Sequence, residues 1–168
     1  MQLFHYVGPL EIYERAKSSP PGTPIVSRDD SLAWFAQNGK DEDGWATYVV
    51  GSDGCLLVAP RRSEHVSCAS GLPVLAAGEL HFEENGSIDE ISNLSTGYCP
   101  NEGCWPEVRC ALERAGLKHP DGFTSIAIFR RCPCCNNHSI VKDNWFVCPF
   151  CDSPLPVEWN FGLSEDKP

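Results

Sequence analysis

No apolar run in this sequence approaches the roughly 20 residues that a helix needs to cross a bilayer, so a membrane span is not expected. The opening stretch "MQLFHYVGPLEIYERAKSS" lacks the basic start, the long apolar run and the small-residue cleavage site of an export signal. The chain therefore reads as cytoplasmic, with its thiols reduced. Cations are scarce: 13 Lys and Arg stand against 23 Asp and Glu, a net charge of −10, and the only basic clusters are the pairs Arg61-Arg62 and Arg130-Arg131. A long phosphate backbone would be repelled, so a nucleic-acid partner is not expected. Internal repeats are absent too. Hydrophobic residues at 42% and charged residues at 21% are globular values that exclude wholesale disorder, and 168 residues suffice for one domain with a real core, or one domain plus a small appendage.

What is present first is a set of short elements. "PLEIYERAKS" puts Pro9 at a helix start, with Ile12, Tyr13 and Ala16 at helical spacing before Pro20-Pro21-Gly22. "DDSLAWFAQNG" predicts a second short helix, with Asp30 or Ser31 as N-cap, an apolar side of Leu32, Phe35 and Ala36, and Asn38-Gly39 as its stop. The period then changes. "WATYVV" and "CLLVA" flank Gly51-Ser52-Asp53-Gly54, while "VLAAGELHF" and "IDEISNL" flank Glu84-Asn85-Gly86-Ser87, which predicts two hairpins, the second with a type I′ turn at Asn85-Gly86. "WPEVRCALERAG" returns to helix, with a stripe of Val108, Ala111, Leu112 and Ala115 and with Gly116 beyond its end. "TSIAIF" reads as a buried strand leading into a cysteine-rich segment.

In that segment Cys132 and Cys135 are two residues apart, as are Cys148 and Cys151, with twelve residues between the pairs. Each pair can present two thiolates from one tight turn, and a hairpin built on "SIVKDNWFV" about Asp143-Asn144 would bring them into a tetrahedral sulfur cage suited to one structural zinc ion. Four thiolates leave no open coordination position, so a catalytic zinc is not expected, and a hydrolytic deaminase lacks its His/Cys-x-Glu motif here. Cys134, inside the first turn, is a spare thiol facing solvent or lying behind the ligands. Cys68, Cys99, Cys104 and Cys110 have no metal-knuckle spacing and read as small buried apolar residues.

The central residues 61–100 gather Arg61, Arg62, Glu64, His65, Cys68, Glu79, Ser95, Thr96, Tyr98 and Cys99 around the second hairpin. "SNLSTGYCP", a following helix, "FRRCP" ahead of the knuckles and "LP" shortly before "WNF" resemble an uncharacterised bacterial family with a C-terminal zinc ribbon, over nearly the whole chain. More distantly, residues 65–124 are similar to the core of plant IQ-motif calmodulin-binding proteins and related bacterial and fungal proteins, through His65, "PVLAAGE", the "EISN" stretch and a tyrosine followed at one residue's distance by proline. That segment usually ends Ser-Gly-His-Tyr-x-Pro, where this chain has Ser95-Thr96-Gly97-Tyr98-Cys99-Pro100. The resemblance implies a shared β-rich core.

Two readings of the central segment stay open. His65, Ser95 and Tyr98 with Glu64, Glu79 or Glu83 could form a site for a nucleotide-type ligand such as NAD, the arrangement that ADP-ribosyltransferases use. Alternatively His65 lies in a polar turn and Tyr98 packs its ring with its hydroxyl bonded, both serving the fold. A thiol enzyme using Cys99 or Cys68 with His65 lacks a fixed partner for either sulfur.

The fold expected is α+β: an antiparallel β-hairpin core with short flanking helices and a C-terminal zinc ribbon. The organisation is a core over 1–130, the ribbon over 131–152, a segment packing back over 153–161 and a flexible tail over 162–168. The function expected is that of a zinc-binding protein acting through contacts with a protein partner or in regulation, the alternative being an enzyme acting on a nucleotide-type small molecule.

Overall fold

The computed structural model describes residues 1–162, so the expected tail lies outside the described residues apart from Gly162. In chain order the elements are α1 (Leu10–Ala16), β1 (Thr23–Ile25), α2 (Arg28–Asn38), β2 (Trp45–Gly51), β3 (Leu56–Pro60), α3 (His65–Cys68), β4 (Val74–Phe82), β5 (Ile88–Ile91), α4 (Trp105–Arg114), β6 (Ile128–Arg131) and β7 (His138–Val141). β1 to β5 form one antiparallel sheet in the order β1-β3-β2-β4-β5, and β6 and β7 form a separate two-stranded ribbon. The molecule is thus α+β, with an antiparallel hairpin core and a cysteine-rich ribbon at its C-terminal end.

β2 sits at the centre of the sheet, and Ala46 to Val50 are buried without a break. Because successive side chains point to opposite faces, such a run requires cover on both sides. α3 and α4 pack against the strand. Tyr48 contributes to the core with its ring, and its hydroxyl donates to the Ser92 carbonyl at 2.8 Å. The amphipathic stripe of α4 is seated as its spacing predicts, with Val108, Ala111, Leu112 and Ala115 all buried.

Four local features differ from expectation. The N-cap of α2 is Ser27, in a reciprocal capping box with Asp30, and the buried residues are Ser31 and Trp34 while Ala36 is exposed. The helix begins a turn earlier because Ser27 can accept from the Asp30 N–H while the Asp30 carboxylate accepts from Ser27. Asn85-Gly86 is no type I′ turn: Gly86 alone has positive φ, the Gly86 N–H donates to the Glu83 carbonyl, and the Glu83 N–H donates to Ser87. The Gly51–Cys55 turn repeats that arrangement, with Gly54 left-handed. Both hairpins therefore use a three-residue loop that ends on a left-handed glycine. "TSIAIF" becomes a strand only from Ile128, and Ile126 is 58% exposed. Finally, "SIVKDNWFV" does not fold on itself; β7 pairs with β6, and Val147 bridges to Pro154. Asp143 and Asn144, both at φ 54°, form the turn that carries the chain away from β7.

The segment after β5 is clamped against the sheet. A β-carbon at Gly78 would lie 2.0 Å from the Ser92 carbonyl oxygen, so only glycine permits that approach. One residue on, the fully buried Asn93 amide accepts from the Ala127 N–H at 2.7 Å and donates to the Ala127 carbonyl at 2.8 Å, standing in for a missing strand partner. Arg130, 2% exposed, binds Glu102 at 3.1 Å and donates to the carbonyls of Phe129, Pro156 and Val157. Its charge is thereby compensated, and β6 is tied to the short turn ahead of α4. The Trp159 indole donates to the Cys99 carbonyl at 2.8 Å, and its ring meets Phe4 edge-on.

Candidate metal centre and adjoining cleft

The two cysteine pairs lie on the same turn used twice. In the first, the Cys132 N–H donates to Asn137, the Asn136 N–H donates back to Cys132, and Asn136 is left-handed at φ 63°. In the second, the Cys148 N–H donates to Ser153, the Asp152 N–H donates back to Cys148, and Asp152 has φ 62°. Asn and Asp suit these positions because their short polar side chains tolerate the left-handed region. Pro133 and Pro149 follow the first cysteine of each turn.

All ten cysteines are free, and the sulfurs of Cys132, Cys135, Cys148 and Cys151 lie within 4.8 Å of one another. Two of the separations are 3.5 Å (Cys132 to Cys151) and 3.6 Å (Cys135 to Cys148). A disulfide would need about 2.05 Å. A tetrahedron with metal–sulfur bonds of about 2.3 Å has edges of about 3.8 Å, so the cluster has the dimensions of a metal cage.

Its surroundings favour thiolates. The Asn137 backbone N–H, helped by its side-chain amide 3.3 Å from the sulfur, holds the Cys135 thiol below its ordinary value. The Ser153 hydroxyl and then its N–H bring Cys151 down to about 6. Burial acts the other way on Cys148, pushed up to about 11, a cost that a cation would offset. Val141 and Leu155 pack behind the sulfurs with Ile128 and Phe146. Cys134 is exposed. The four-thiol set can hold a metal ion.

The central residues are placed differently. The His65 Nε2 lies 2.9 Å from the Gly78 carbonyl, and burial lowers the pKa of the ring. Tyr98 is 1% exposed, its hydroxyl donates to the Leu72 carbonyl at 2.7 Å, and its ring meets Tyr6 edge-on. Burial pushes its phenol well above the ordinary range. Buried Ser95 accepts from the Tyr98 N–H, and Glu79 pairs with Arg61, whose guanidinium lies over the Trp45 ring. Glu64 is exposed, and Glu83 lies at the hairpin turn. The His65 Nε2 and the Tyr98 hydroxyl are thus spent on separate backbone carbonyls.

Cys68, Cys99 and Cys104 are buried, and burial pushes each thiol up to about 12, which makes them poor nucleophiles. Cys110, expected to be buried beside Val108 and Ala111, is exposed: it falls one residue off the stripe that α4 turns inward. His81, Asp89 and Glu90 also come within ligand distance, but the His81 ring nitrogens already meet Asp89 and the Asp43 carbonyl.

A cleft missed by sequence reasoning lies where ribbon and core meet. Its volume is about 470 Å³, and Cys99, Phe129, Ile140, Pro149 and Phe150 supply its apolar walls. Thr96, His138, Ser139 and Lys142 complete it. The second cysteine turn therefore does more than hold sulfurs: it presents Phe150, 64% exposed, to the cleft. An aromatic residue between two ligands was the available signal, because a turn that tight cannot bury it.

Compared with protein-family models, with curated proteins and with solved structures, the chain has no match. Among the described residues no helix is long and apolar enough to cross a membrane.

Proposed function

We propose that the chain is a cytoplasmic zinc-ribbon protein that acts by binding another protein, with one structural zinc held by Cys132, Cys135, Cys148 and Cys151. Zinc suits a closed four-sulfur set with no open position, and ten free thiols suit a reducing compartment. The observation that carries the binding role is the cleft: the metal turn that supplies Cys148 and Cys151 also supplies Pro149 and Phe150 as one of its walls. Metal binding would fix that wall, so the apolar surface is built only when the ribbon is loaded. Exposed apolar surface rimmed by polar residues is a usual mark of a protein-interaction site or binding groove. His65 and Tyr98, by contrast, contribute nothing to its lining.

The test places a photo-crosslinking benzoylphenylalanine at position 150 of the full chain in its own cells. Illumination should give discrete protein adducts, and adding Cys148→Ser should abolish them, while the purified chain carries one zinc. Iron in place of zinc would overturn the metal assignment. The absence of adducts, together with thermal stabilisation by NAD or another nucleotide, would overturn the binding role in favour of an enzyme.

A further inference from the structure

β7 lines the cleft with three consecutive residues, His138, Ser139 and Ile140. A strand that turns one face to a cavity lines it with alternate residues, so this cavity follows the strand's edge. Which backbone groups point outward there follows from the register. The Cys132 N–H donates to Asn137 at the mouth of the hairpin. Hydrogen-bonded and open pairs alternate along an antiparallel ladder. Arg130↔Ser139 and Ile128↔Val141 are therefore the bonded pairs, while Arg131↔His138 and Phe129↔Ile140 aim their peptide groups away from each other.

The two outer edges are treated differently. On β6 the Arg131 N–H donates to Asn160 Oδ1 at 2.9 Å, the Asn160 amide donates to the Arg131 carbonyl at 2.7 Å, and Arg130 covers the Phe129 carbonyl at 2.7 Å. These contacts confirm the phase of the ladder and occupy three of the four outward groups on that edge. On β7 the outward N–H and carbonyl groups of His138 and Ile140 have no partner among the described residues. The Ser139 hydroxyl is also shielded from solvent without a partner among the described residues. Among the described residues Lys142 makes no ion pair and no carboxylate lines the cleft, although the chain is strongly acidic.

We propose that the open edge of β7 takes an extended segment of the partner protein as a third ribbon strand, with an apolar side chain in the cleft and an acidic one beside Lys142. This deepens the protein-binding reading and rests on it. Strand addition supplies main-chain bonds to the unpaired groups, and alternate side chains supply selectivity. Side chains directly opposite each other share a face, so the guest residue facing Ile140 reaches Phe129 and Phe150, and the one two positions along faces Lys142. An antiparallel guest reads acidic-x-apolar and a parallel guest apolar-x-acidic.

The experiment pans a random library of acetylated, amidated heptapeptides on the zinc-loaded full chain and measures the best peptide by fluorescence anisotropy. Enriched peptides should share one of those two patterns. Methylating the peptide amides that face β7 should weaken binding by about thirty-fold, the loss of roughly 2 kcal/mol from an unmade bond, while methylating the intervening amides should change it less than about three-fold. Amide exchange at His138 and Ile140 should slow on binding, with Ser139 and Val141 unchanged, and Lys142→Glu should weaken binding by about ten-fold. Binding insensitive to methylation, protection elsewhere, or no enriched peptide would overturn the strand addition. So would a free chain that dimerises through β7, with both amides protected before any peptide is added. Adducts at position 150 without these signatures would remove this inference and leave the protein-binding reading in place, whereas failure of both would remove both.

Discussion

Tyr98 shows how one side chain separates a structural role from a chemical one. Its hydroxyl is buried and bonded to the Leu72 carbonyl, and its ring rests on Tyr6. Tyr98→Phe removes the donor, leaves that carbonyl unpaired and should lower stability by about 1–2 kcal/mol. Urea denaturation should show the loss as a lower midpoint at unchanged slope, with zinc content and peptide affinity retained. An unchanged midpoint with lost ligand affinity would instead place the hydroxyl in a binding site. His65 follows the same logic, because its Nε2 is committed to Gly78, the glycine that lets Ser92 approach β4. The histidine and the glycine thereby meet at one crowded crossing of the sheet, where the Tyr48 hydroxyl also donates to the Ser92 carbonyl, whereas Tyr98 is anchored separately at Leu72.

At the scale of elements, the ribbon is the part whose stability is borrowed. Its own apolar cluster consists of Val141 and Leu155 with flanking Ile128 and Phe146, beside the sulfurs. Metal binding is worth on the order of 10 kcal/mol in comparable small sites, far more than that cluster can supply. Chelation should therefore release amide protection over 132–155 while β2 and β4 stay protected, an outcome that exchange mass spectrometry reads directly. Simultaneous collapse of the sheet would show that ribbon and core fold as one unit.

The same elements show what was legible in the sequence. The thiol spacing named the cage, and the strand-like runs flanking Gly51-Ser52-Asp53-Gly54 and Glu84-Asn85-Gly86-Ser87 named the two core hairpins, because both signals are local. Turn type was not legible from Asn85-Gly86, since strand register decides loop length and the loop decides which residue must be left-handed. Nor could "SIVKDNWFV" reveal that its first half pairs backwards with β6: an apolar run specifies a strand and not its partner. The open edge of β7 is a consequence of that pairing, so no pattern within the strand announces it.

For the whole molecule, the net charge of −10 is reinforced by where the cations go. Arg61 is paired with Glu79, Arg62 with Glu42, Arg130 with Glu102, Arg109 with Glu113 and Lys17 with Glu14. Both basic pairs noted in the sequence are thus engaged within the protein, Arg131 lying over the Phe161 ring. Binding a phosphate backbone gains most of its free energy when free cations displace condensed counterions. A chain whose field is repulsive and whose two basic pairs are engaged internally has little to offer in that exchange. Zinc-loaded protein should accordingly show no shift in the anisotropy of labelled single-stranded or duplex oligonucleotides at about 150 mM salt, and only marginal binding as salt is lowered. Micromolar affinity with a steep salt dependence would overturn this and would mean that the paired arginines can be released. The same field acts in the opposite sense at the cleft: Lys142 makes no ion pair there among the described residues, so an acidic guest has one local attraction to set against a repulsive surround. Raising salt should then change peptide affinity far less than Lys142→Glu does, because the long-range repulsion and the local attraction are screened together.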